Sequence, residues 1–146
     1  MDALVVAEKP SVARDIAAVI GAEHRQSGYL DGGQYGSRSY AVTWAVGHLV
    51  ALPQPHQIRP EWKRWSLELL PMLPERWPLV LRDGGQDQYE AIARLVGSGR
   101  FDRVVCATDA GREGELIFRY LMEKLGCTLP VQRLWISSLT PEAIRE

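Results

Sequence analysis

The shortages of this sequence constrain it first. Of 146 residues only two are cysteine, Cys106 and Cys127, too few for the disulfide framework of small secreted domains. They do not combine with the three histidines at the spacing of a structural zinc site. An excess of one charge is missing as well. Seventeen basic residues against eighteen acidic give a formal net charge of −1, which excludes a generally basic nucleic-acid binder but not a local positive groove. No apolar run approaches membrane-spanning length, and the acid at Asp2 with the short run after it does not make a signal peptide. The expected setting is cytoplasmic, with reduced thiols and no membrane partner. Repeats and low-complexity tracts are also lacking.

What is present reads as one ordinary domain over residues 1–146, with 46% hydrophobic and 24% charged residues. "ALVVAE" is a short β-branched run suited to a buried strand. In "KPSVARDIAAVIG", Val12, Ile16, Val19 and Ile20 recur at helical spacing and Gly21 is a suitable stop. Residues 28–52 alternate glycine-rich turns with aromatic and β-branched runs, as a hairpin would. The segment 53–85 holds six of the nine prolines and three of the five tryptophans. It is expected to be mostly irregular, and so long a loop carries function or wraps the core. "QDQYEAIARLVGSG" and "GELIFRYLMEKLG" return to helical spacing, the second with Leu116, Ile117, Tyr120, Leu121 and Leu125 on one side. "FDRVVCATD" and "VQRLWIS" are further strand candidates, and Cys106 within the first is expected to be a buried thiol. Strands alternating with helices predict an α/β fold with a mainly parallel sheet. In such sheets ligands collect beyond the carboxyl ends of the strands. At the chain's end, Thr140 as N-cap and Pro141 at the first position predict a helix start. So short a helix is marginal alone, which suggests a fragment of a longer protein.

Two clusters fall at predicted strand ends. Glu8 and Lys9 pair a carboxylate with an ammonium, either as proton donor and phosphate contact or as an exposed ion pair at a turn. Asp109 and Glu113 are four apart, with Arg112 between them and glycines at 111 and 114. Carboxylates gathered at one point repel unless a cation neutralises them, and hard oxygen donors favour Mg²⁺. Arg112 offers a fork suited to phosphate. The plainer alternative is an acidic first helical turn favoured by the helix dipole. That alternative accounts for Glu115, which is assigned no function.

Taken together, "VAEKPSVARDIA", "AVTWAVGHLVAL", "KRWSLELLPMLPERWPL" and "CATDAGREGELIFR" resemble, in this order, the Toprim domain of bacterial topoisomerase III-like type IA DNA topoisomerases. The resemblance implies a Rossmann-like Toprim fold with an inserted strand and loop region. It implies an enzyme that breaks and rejoins one DNA strand through a tyrosine, relaxing or decatenating DNA without ATP. In the family pattern Glu8 is the acid/base, Lys9 contacts the scissile phosphate, and Asp109 and Glu113 bind Mg²⁺ with Glu8 close enough to contribute. Arg112 joins Glu8 and Lys9 among the implied catalytic residues. His48, Lys63, Arg64 and Trp65 join Lys9 and Arg112 as implied DNA contacts. The implied partners are DNA, single-stranded in its bound form, and the remaining domains of the same chain. The implied location is the bacterial nucleoid.

The chain departs from the family pattern at Gly111, where many relatives have a second aspartate. Weaker Mg²⁺ binding by the isolated domain is therefore expected. None of Tyr29, Tyr35, Tyr40, Tyr89 and Tyr120 matches the family's nucleophile, so the fragment alone is expected to be inactive. In "EWKRW" two indoles interleave with Lys63 and Arg64, the pattern of a base-stacking groove. Trp62 either joins that face or packs beneath the loop. The segment 31–39 reads as a lengthened hairpin tip with no assigned role. Two rivals stand beside this reading: a Toprim nuclease or primase, and a non-catalytic phosphate-binding α/β module. The second is weakened because no glycine-rich phosphate loop follows the first strand.

Overall fold

β1 (Asp2–Ala7) is buried along nearly its whole length, which marks it as the central strand of the computed structural model; the structure describes residues 2–136 and 138–145. Its side chains alternate between two cores. Leu4 and Val6 face one, Val5 and Ala7 the other, as expected of a parallel strand covered on both faces. α1 (Pro10–Ile20) follows at once. Lys9 is extended, Pro10 takes the first helical position, and Gly21 closes the helix at φ 71°. The buried face of α1 is Val12, Ala13, Ile16 and Ala17.

Next come β2 (His24–Gln26), β3 (Tyr29–Tyr35) and β4 (Arg38–Trp44), an antiparallel meander. After β5 (Val50–Ala51) and the single turn α2 (Pro55–Ile58), the chain makes two 3₁₀ turns, Pro60–Lys63 and Leu67–Leu69. It then forms β6 (Val80–Leu81), which pairs antiparallel with β5. So the proline- and tryptophan-rich segment is largely irregular, as its composition predicts. Lys124 donates to the Leu79 carbonyl at 2.8 Å and ties its end to the body of the domain.

The rest is α3 (Gln86–Gly97), β7 (Phe101–Ala107), α4 (Arg112–Leu125), β8 (Val131–Arg133) and α5 (Pro141–Arg145). The main sheet has the order β2-β3-β4-β1-β7-β8, and β4, β1, β7 and β8 run parallel. Helices α3 and α4 pack on one face, α1 and α5 on the other. The mainly parallel α/β architecture is the expected one. "VQRLWIS" is corrected in length, because among its described residues only Val131–Arg133 form the strand, and Ser137 lies outside the described residues. The buried side of α4 is corrected too. Leu116 is 42% exposed, while Phe118 is fully buried beside Ile117 and Leu121. Three consecutive apolar residues let the helical pattern be read in two phases. Burying Phe118 contributes roughly 1.5–3 kcal/mol that Leu116 does not.

The hairpin of β3 and β4 is held by charge. The guanidinium of Arg100 grips both oxygens of Asp31 at 2.7 and 2.9 Å and reaches Asp2 at 2.6 Å. Arg38 likewise joins the hairpin to Asp102 of β7 at 2.8 Å. At α5 the Thr140 hydroxyl accepts from the Ala143 amide and Pro141 opens the helix, as its sequence predicts. Among the described residues no helix is long and apolar enough to cross a membrane.

Candidate functional site

Parallel pairing of β1 with β7 sets Ala7 beside Ala107. The two strands therefore end together, and the residues after them share one edge. There the Asp109 amide donates to Glu8 Oε2 at 3.0 Å, although the two are 101 positions apart in sequence. Lys9, next along, is exposed at the mouth of α1.

The loop after β4 continues alongside. Ala45 donates its amide to the Ala7 carbonyl at 2.8 Å, and Gly47 donates to the Glu8 carbonyl at 3.2 Å. This carries His48 to the same edge, where its Nε2 lies 3.2 Å from Glu113 Oε1. Glu113 is in the first turn of α4, whose N-cap is the extended Gly111. Its side chain is 79% exposed against 28% for His48. The result is an open cleft of about 510 Å³ lined by Glu8, His48, Asp109, Gly111, Arg112 and Glu113. The floor of the cleft is tight. Gly114 packs against the Asp109 backbone, and the Thr108 hydroxyl donates to the Gly114 carbonyl at 2.8 Å.

Three carboxylates around one cleft are the right donors for a hard divalent cation such as Mg²⁺. They do not form a closed cage. Among the described residues no three histidine, cysteine, aspartate or glutamate side chains stand together as a ready metal site. Glu8 is engaged by the Asp109 amide and Glu113 by His48. Gly111 adds no donor, and the space a side chain would occupy there is empty. The donor chemistry thus fits the cation, with solvent left to complete its shell.

The remaining candidates lie elsewhere. Lys63, Arg64 and Trp65 are exposed on the long loop and do not line the cleft. Trp65 is 73% exposed, while Trp62 is buried with the Arg59 guanidinium 5.2 Å from its ring centre. Of the two alternatives for Trp62, packing beneath the loop is the one observed. Both indoles flank an apolar hollow of about 380 Å³ together with Trp77, Leu70 and Leu73. None of the five tyrosines lines the cleft. Glu115 is held by Arg119 at 2.7 Å and Arg133 at 3.3 Å and does not line the cleft. Thr108 carried no sequence signal, because a threonine after a strand reads as ordinary turn chemistry.

Comparison with known proteins adds a family. The Toprim domain model matches residues 3–139. A DNA topoisomerase 3 of Shouchella clausii is 47% identical over 142 residues, covering 97% of this chain and 19% of that protein. One of Staphylococcus epidermidis is 42% identical over 146 residues, 100% of this chain and 20% of the relative. One of Bacillus anthracis is 45% identical over 143 residues, 98% and 19% respectively. The chain spans about a fifth of the length of these relatives.

Proposed function

This chain belongs to the Toprim-domain family, and from that premise we propose that residues 1–146 are the Toprim domain of a type IA DNA topoisomerase of the topoisomerase III kind. The whole protein would break and rejoin one DNA strand, through a tyrosine outside these residues, and relax or decatenate DNA in the nucleoid. The observation that carries the reading is the hydrogen bond from the Asp109 amide to Glu8. It joins the two motifs most distinctive of the resemblance at one strand-end edge, where α/β sheets bind their ligands.

In this reading Glu8, beside the phosphate, moves a proton to and from the 3′-oxygen as the strand opens and closes. Lys9, free of the strand and exposed, holds the scissile phosphate as a point charge. Arg112, at the start of α4, adds a fork to the same phosphate. Asp109 and Glu113, with Glu8, would hold Mg²⁺, which when bound supplies positive charge to the phosphate oxygens. His48 orients Glu113 and touches DNA at the cleft rim. Lys63 and Arg64 take backbone phosphates, and Trp65 stacks on an unpaired base.

The test uses the full-length protein with Mg²⁺ and single-stranded DNA. A covalent 5′-phosphotyrosyl adduct is expected, and its yield falls at least about a hundredfold in Glu8→Gln, the scale of losing general acid–base catalysis. Cleaved DNA with free ends and no protein attached would instead identify a nuclease.

A further inference from the structure

We propose that Arg133 is a positioning residue for the candidate site, setting from β8 where the Asp109–Glu113 segment stands. The proposal rests on the reading of Asp109 and Glu113 as site carboxylates.

β8 is an edge strand, and its neighbours Val131 and Gln132 are exposed. The Arg133 side chain nevertheless turns inward and is only 13% exposed. The register opposite Cys106 aims it along the end of β7. Its Nη2 donates to the Asp109 carbonyl at 2.7 Å. Its Nη1 donates to the Thr108 hydroxyl at 3.0 Å and touches Cys106 Sγ. Glu115 Oε2 lies 3.3 Å from the same Nη1, and the Trp135 ring covers the guanidinium at 5.3 Å.

One planar group therefore grips Cys106, Thr108 and Asp109 and is anchored to α4 through Glu115. Thr108 extends the linkage by donating to the Gly114 carbonyl. Two successive links thus run from β8 through the loop to the first turn of α4. Burial of this guanidinium is not free. Among the described residues its Nε is the one buried side-chain nitrogen or oxygen left without a partner. A largely covered guanidinium with an orphaned Nε donor is poor material for stability alone, and its satisfied donors converge on the segment that carries Asp109. Lysine cannot replace it, because a single ammonium lacks the fork that spans a carbonyl and a hydroxyl together.

The experiment compares the full-length protein with Arg133→Lys and Arg133→Met by amide hydrogen exchange and by Mg²⁺ titration of strand passage. Exchange should rise about tenfold over 108–114 and stay within about twofold in β1 and β4, as for a local opening. Half-saturating Mg²⁺ should rise about tenfold, the usual cost of losing a partner that orients a ligand, with DNA affinity unchanged. Thr108→Val, which removes both the hydroxyl that Arg133 bonds and its link to Gly114, should loosen the same segment if the arginine variants do not fold. Unchanged exchange over 108–114, or a rise spread evenly across the sheet, overturns the proposal. If the wild-type protein passes no strands, the topoisomerase reading falls while the exchange pattern still decides the role of Arg133.

Discussion

Gly114 lies against the backbone of Asp109 so closely that a methyl group placed on it would stand 2.9 Å from both the amide nitrogen and the carbonyl carbon, and closer still to the carbonyl oxygen. In an ordinary exposed helix, glycine to alanine is stabilising by about 1 kcal/mol. Here the sign reverses, since the obstacle is backbone and cannot swing away. Gly114→Ala should cost about 1–3 kcal/mol, the usual range for overpacking. It should also displace Asp109 and weaken Mg²⁺-dependent activity more than it lowers the melting temperature. Paired denaturation and activity curves check this.

Gly111 is the opposite case. Its backbone is extended at φ −152°, open to any residue, and nothing lies within reach of an added side chain. Gly111→Asp should therefore fold normally and gain a few tenths of a kcal/mol from a better N-cap. It also adds a fourth carboxylate to Glu8, Asp109 and Glu113 at the cleft. Calorimetric titration should find Mg²⁺ bound on the order of tenfold more tightly, following ligand charge count. Unchanged affinity would show that the carboxylate at 111 does not reach the ion.

The two indoles of "EWKRW" should separate cleanly. Trp62 is buried and Trp65 exposed, so Trp62→Ala should cost about 3 kcal/mol of stability. Trp65→Ala should leave the melting temperature unchanged and lower single-strand affinity about tenfold, the value of one base-stacking face. A binding titration of each variant with a short oligonucleotide decides between them.

At the far end of the sheet, the guanidinium of Arg100 holds the Asp31 carboxyl below its ordinary value, against a smaller opposing effect of burial. A folded-state value below the unfolded one gives stability that is present above about pH 3.9 and lost as pH falls through the folded value. Arg100→Gln should remove the largest part of this acid-dependent loss along with the contact itself, leaving the smaller contributions of the Gly32 amide and His24. Urea denaturation of wild type and variant at pH 7 and pH 3 should show the difference between them shrinking in acid.

Much of this was legible in the sequence. The order of strands and helices followed from β-branched runs alternating with helical spacing, and Gly21 and Thr140 mark their helix ends as observed. The pairing of Glu8 with Asp109 did not follow from spacing, since register between distant strands has no local signature. The resemblance brought those two motifs together before the fold did. Arg133 was invisible for another reason. An arginine at an edge strand reads as solvated, and only the register opposite Cys106 reveals that it turns inward. The anchorage of the hairpin was silent too, because Arg100 lies 69 positions away from Asp31.

The Arg100 clamp binds Asp2, at the start of β1, whereas Glu8 follows the other end of the same strand. At about 3.3 Å per residue, the two are roughly 20 Å apart along it. Sites so separated usually contribute independently. Robustness and reactivity are therefore separately adjustable in this domain. Substitutions that harden the β2–β3 end against heat or acid can be accumulated without retuning the cleft, and the cleft can be reshaped without spending that margin.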